Sequence, residues 1–168
     1  GYSDYWRQID SLKELGQPAT AARLTEELLS VALKENNSPQ ILEAHLYRIG
    51  LWAQYEEDYE LKDIEASKKL INVTTMPARE ILKSITAELY YLWYNNHQWE
   101  LRGRGIMGDK LESDFRLWDA RTFADTIASY YLASMDDPEK LYQIKAREFI
   151  PILDTAQGSE IFMPTLLD

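Results

Sequence analysis

Apolar residues recur every three or four positions along most of this sequence, and that spacing is the pattern of α-helices with one buried face. The richest segment begins at residues 75–77, and its apolar positions cover much of the helix circumference, which predicts a helix packed between neighbours. The main β-branched cluster, residues 72–75, lies between two helical segments, so the sequence predicts an all-α fold. The apolar positions of the richest segment are Ile81, Leu82, Ile85, Leu89, Leu92 and Trp93, extended by Tyr90, Tyr91 and Tyr94.

Glycine and proline separate these segments and predict where the helices begin and end. Gly16 is expected to end the first helix, and Ser38-Pro39 is expected to cap and begin the third. Asp114 is expected to cap the sixth helix, after a long loop over residues 103–113. The seven predicted helices span about 3–15, 18–35, 38–55, 59–71, a fifth from 75–77, a sixth over 114–135 and a seventh from 138 to the proline at 151.

Short connections between consecutive amphipathic helices imply stacked antiparallel helical hairpins. Helix pairs of about 34 residues favour a TPR-like α-solenoid of about seven helices. The TPR consensus of Trp, Leu, Gly and Tyr does not recur here at a fixed period, so a closed helical bundle remains the alternative. Residues 1–168 are expected to form a single helical domain. The chain begins with Gly1 rather than Met, so we expect a processed or engineered fragment.

The formal net charge of −10 bears on the partners that this chain can bind. Nucleic-acid binding needs clustered cations that displace counterions from phosphates, and the sequence has no such cluster, so no nucleic-acid partner is expected. Anionic membrane surfaces are disfavoured for the same reason. No apolar run reaches the roughly 18 residues that a bilayer span requires, so no membrane span is expected in this chain.

No residue pattern in the chain indicates catalysis, a metal or a cofactor. The absence of cysteine excludes disulfides, thiol nucleophiles and cysteine-based zinc sites. His45 lies on an apolar stripe without a second ligand four residues away, so we interpret it as a core histidine, and His97 as a solvent-side residue. The acidic runs are expected to be solvated. The glycine-rich residues 103–108 lack the preceding strand and the Lys-Ser/Thr of a phosphate loop, so a non-enzymatic protein is predicted.

Aromatic residues and arginines cluster in the middle of the chain, and Trp, Tyr and Arg dominate the energetics of protein interfaces. A partner surface or a sugar-stacking site is therefore one interpretation. The other is that the aromatic rings fill gaps between stacked helices, with arginines stacking over them, which we favour for the set as a whole. Trp99 is the exception, since it lies beyond the main stripe and near a loop. The candidate partner surface consists of Trp99, Arg102, Arg104, Arg116 and Trp118.

Seven sequence blocks share an order with one known family, and they are residues 6–12, 16–18, 34–40, 47–48, 81–90, 118–123 and 164–166. These blocks resemble the N-terminal region of the large alpha-2-macroglobulin family proteins of Bacteroides-type bacteria. The resemblance spans nearly the whole chain, and none of the blocks is catalytic, so they identify a region rather than an activity.

The resemblance implies that the chain is a fragment of a much longer multidomain protein. It would be a non-catalytic helical interaction or scaffold domain at the N-terminus of an alpha-2-macroglobulin-like, protease-trapping protein of the cell envelope (periplasm or outer surface). Its partner would be another protein or the remaining domains of the same chain, and the full-length protein would act on proteases. Some family members carry a Cys-Gly-Glu-Gln thioester, which would lie outside this cysteine-free chain. The alternative is a TPR-type glycan-binding protein similar to the SusD-like family, although members of that family are far longer.

Overall fold

The computed structural model of the chain describes residues 1–104 and 113–135, and every regular element in these ranges is helical. The all-α prediction is therefore confirmed for the described residues. The predicted seventh helix and most of the long loop lie outside them. The elements are α1 (Tyr2–Glu14), α2 (Pro18–Lys34), α3 (Ser38–Trp52), α4 (Tyr59–Val73), α5 (Ala78–Asn96), α6 (Gln98–Leu101), a 3-10 turn (Phe115–Leu117) and α7 (Ala120–Ser134).

Gly16 ends α1 as predicted, because it adopts the left-handed conformation with φ of +71°. The amide of Gly16 donates to the carbonyl of Lys13 at 3.0 Å, and that of Gln17 donates to Leu12 at 2.9 Å. These two bonds form a Schellman motif, which satisfies carbonyls that the end of the helix would leave free. Pro18 then begins α2, where its missing amide proton costs nothing.

Two predicted helix caps are wrong. The third helix is capped by Asn37, whose side chain accepts a hydrogen bond from the amide of Gln40 at 3.2 Å, so Ser38 is already helical. The predicted sixth helix, which is α7, begins at the cap Asp119 rather than at Asp114, because Trp118 between them is extended and turns its ring into the core. The short helix α6 was not predicted.

The fifth helix lies between three others, as its broad apolar surface predicts. It packs against α3, α4 and α7. Eleven of its residues are buried, more than in any other described helix. Two apolar clusters meet along it, one built mainly from α1 to α3 and the first half of α5, the other from its second half, α6, the 3-10 turn and α7. None of the described helices is long and apolar enough to cross a membrane.

Candidate functional site

Trp99 projects from α6, a helix of a single turn. The opposite side of this turn is fixed by Leu101, which is 4% exposed and packs in the second apolar cluster. The Trp99 side chain is 81% exposed, and Arg102, three residues later, is exposed as well. A tryptophan left this open contributes little to folding, whereas tryptophan and arginine are the residues that contribute most at protein contacts.

Arg104 and Arg116 hold the 3-10 turn in place. Nη1 of Arg104 donates to the carbonyls of Arg116 at 2.6 Å and Trp118 at 2.9 Å. Arg116 forms ion pairs of 2.9 Å with both Asp114 and Asp58, and its hydrogen bonds lower the pKa of the Asp114 carboxyl. Both guanidinium groups are therefore engaged within the domain, and their described partners are carbonyls and carboxylates rather than the aromatic rings that the sequence suggested.

Trp118 is a core residue and does not belong to an exposed surface. It is 7% exposed, and its ring stacks on Tyr90 with 5.3 Å between centroids. Phe115 and Phe123 complete the same cluster, with Phe123 at 5.3 Å from Trp118. The five candidate residues thus divide by environment. Trp99 and Arg102 are open to solvent, and the other three stabilise the fold around them.

His45 lies at the centre of a buried chain of hydrogen bonds. Nε of Arg48 donates to Nδ1 of His45 at 3.1 Å, and Nε2 of His45 lies 2.7 Å from Oγ of Ser67. Ser67 in turn donates to the carbonyl of Asp63 at 2.8 Å. His45 must therefore be the neutral Nε2–H tautomer, and burial, with Arg48 beside it, lowers its pKa well below the usual range. With both nitrogens occupied, this histidine has a structural role.

His97, interpreted from the sequence as a solvent-side residue near the end of a helix, is half-buried. It caps the end of α5 and stacks on Trp93 at 4.0 Å between ring centroids, with an interplanar angle of 10°. Its Nδ1 lies 2.7 Å from the carbonyl of Trp93 and donates to it. Within residues 1–104 and 113–135, no group of three or more His, Cys, Asp or Glu residues could hold a metal ion.

A cavity of about 210 Å³ lies between α3, α4 and α5. Its deepest walls are the buried residues Leu46, Asp63 and Trp93, whereas Ala53 and Asn96 are exposed. Oδ1 of Asp63 is buried and has no hydrogen-bond partner among the described residues. Burial, reinforced by the nearby charge of Glu60, raises the pKa of Asp63 to about 8. This cavity and the role of Asp63 in it were not predicted from the sequence.

No protein-family model matches the chain, and no curated protein or solved structure shows significant similarity to it. The geometry of the chain's own residues and the resemblance noted in its sequence are therefore the two supports for a function.

Proposed function

We propose that this chain is a non-catalytic helical interaction domain at the N-terminus of an alpha-2-macroglobulin-like, protease-trapping protein of the cell envelope. The observation that carries the proposal is the exposed Trp99 on α6, three residues before the exposed Arg102. The sequence blocks that resemble the family support the choice of parent protein. In this proposal the helices form a TPR-like arrangement, whose stacked hairpins present residues for contact at their ends.

The contact partner in this proposal is the remainder of the same parent chain. Leu101 anchors α6 in the second apolar cluster, and this lowers the conformational entropy that α6 loses on binding, which favours a contact at this position. The negative charge of the domain, −10 overall, favours a partner surface that carries basic residues.

Two experiments test the proposal at different levels. The sequence downstream of this chain in the parent gene should encode macroglobulin-type β-sandwich domains, and a parent without them would exclude the family assignment. In the intact parent, Trp99→Ala should loosen the attachment of this domain, measured as faster limited proteolysis between the domains. The matched control is Val73→Ala, another exposed apolar residue, at 67% exposure. Equal proteolysis of both variants and the parent would exclude Trp99 as the contact.

The alternative is a TPR-type glycan-binding protein similar to the SusD-like family. The same exposed indole favours it, because an open tryptophan face can stack on a sugar ring. The burial of Trp118 removes the second platform that such a site would use. Calorimetry with oligosaccharides tests the alternative: saturable heats that Trp99→Ala abolishes would support it, and an absence of heat at millimolar ligand would exclude it.

A further inference from the structure

The cavity between α3, α4 and α5 contains a buried acid with an oxygen that lacks a hydrogen bond among the described residues, and such groups are rare in folded proteins. Asp63 is 3% exposed, and its Oδ1 has no hydrogen-bond partner in the described part of the chain. A buried carboxylate without a partner costs several kcal/mol by the usual estimates. The residue is placed on the cavity wall, where a ligand can reach it.

Gly50 supplies a second observation that points to an occupied site. It lies inside α3, where glycine costs about 0.5–1 kcal/mol relative to alanine. No close packing requires it, since a Cβ placed on Gly50 would meet no atom within 4 Å. Gly50 lines the same cavity, so the missing side chain keeps the space beside Asp63 open.

The charged groups around Asp63 favour a cation as the occupant. On α4, Glu60 also lines the cavity and adds a second carboxyl. Lys62 on the same helix is paired with Glu56 at 2.7 Å. On α3, Arg48 donates to His45 and lies beyond ion-pair distance of Asp63, so it compensates the acid only in part.

The remaining walls suit the apolar portion of such a ligand. The cavity residues from α5 carry no titratable group, and Tyr59 adds an aromatic ring of the kind that attracts organic cations. The volume of about 210 Å³ accommodates a short alkyl chain with a charged end. We propose that this cavity binds a primary alkylammonium group, with Asp63 and Glu60 receiving the ammonium and the apolar walls receiving the chain.

The proposal of an ammonium site rests only on the residues of the cavity and does not depend on the identity of the parent protein. Two sources share the ligand chemistry, the side chain of a partner's lysine and a free aliphatic diamine. Because the Asp63 pKa in the empty cavity is raised to about 8, a bound ammonium should displace a proton near neutral pH. Binding heats should then vary with the ionisation enthalpy of the buffer.

Calorimetry with n-butylammonium chloride and with 1-butanol, the neutral analogue of the same length, tests the site. Asp63→Asn keeps the shape and removes the charge, so we expect at least about tenfold weaker butylammonium binding. Gly50→Leu fills the space and should abolish binding while the helical circular dichroism is retained. The control Glu65→Gln removes an exposed acid from the same helix and should bind as the parent chain does.

The calorimetry either establishes the ammonium site or overturns it. Saturable binding of butylammonium that both cavity variants lose would establish the site, and comparing cadaverine with Nα-acetyl-lysine amide would then identify its source. The proposal is overturned by equal binding of butanol, by undiminished binding to Asp63→Asn or Gly50→Leu, or by no saturable heat up to on the order of 10 mM ligand.

Discussion

Asp63→Asn should stabilise this domain at neutral pH, although the substitution changes a buried side chain. In the folded chain the pKa of Asp63 is raised to about 8, against 3.8 for the exposed carboxyl of an unfolded chain. The folded state therefore holds a proton that the unfolded state releases. A carboxyl whose folded pKa is raised contributes stability that is fully present below the unfolded pKa and is lost as the pH rises to the folded pKa.

The magnitude follows from these two pKa values. Each pH unit between them removes about 1.4 kcal/mol from the free energy of unfolding, so at pH 7 the penalty is about 4 kcal/mol. Asparagine has nearly the shape of the protonated acid and carries no such penalty. We expect Asp63→Asn to match the parent chain near pH 4 and to exceed its stability by about 4 kcal/mol at pH 7.

Urea unfolding followed by circular dichroism, at each pH from 4 to 8, measures the difference between the two chains. Other buried groups titrate in the same range, including Glu88, whose pKa burial raises to about 7, and His45, whose pKa is lowered. His45 acts with the opposite sign, because its contribution is present above the unfolded pKa and is lost as the pH falls. Both chains share these groups, so their effects cancel in the difference. Parallel stability curves, or a variant less stable at pH 7, would refute the reasoning.

Three further substitutions have expected effects on the free energy of unfolding in urea. Trp93→Ala should destabilise by about 3–5 kcal/mol, because the indole is 5% exposed in the second cluster, and a loss below about 1 kcal/mol would mean that the core lies elsewhere. Gly16→Ala should cost about 1–2 kcal/mol, since φ is +71°, and an unchanged midpoint would contradict the Schellman motif. Trp99→Ala should change stability by less than about 0.5 kcal/mol, and a larger loss would show that the exposed indole packs within the domain.

Signals confined to a few neighbouring residues explain why most helix bounds could be predicted. Gly16 and Pro18 act through their own backbone geometry, whatever the rest of the fold does. Asp114 and Asp119 carry the same local capping signal, and both side chains do accept a backbone hydrogen bond. Which of them begins the long helix depends on Trp118 reaching Tyr90, a contact between distant parts of the chain that no local pattern encodes.

The candidate sites show the same division between local and tertiary information. Composition alone could not show that Trp99 is exposed and Trp118 is buried. The exposure of each depends on how its own short segment, α6 or the 3-10 turn, packs into the second apolar cluster. The cavity was missed because three helices assemble it. One signal was present in the sequence: Asp63, Ser67 and Leu70 follow helical spacing, which placed an acid on the buried face of α4.

Photo-crosslinking from position 99 in the intact parent protein tests the proposed interaction most directly. In the variant Trp99→p-benzoylphenylalanine, light should join α6 to one defined peptide of another domain of the parent, identified by mass spectrometry. The same probe at Val73, which is 67% exposed, serves as the control and should give no such product. A probe at position 99 that forms no more crosslinks than the control would contradict an interaction surface at Trp99.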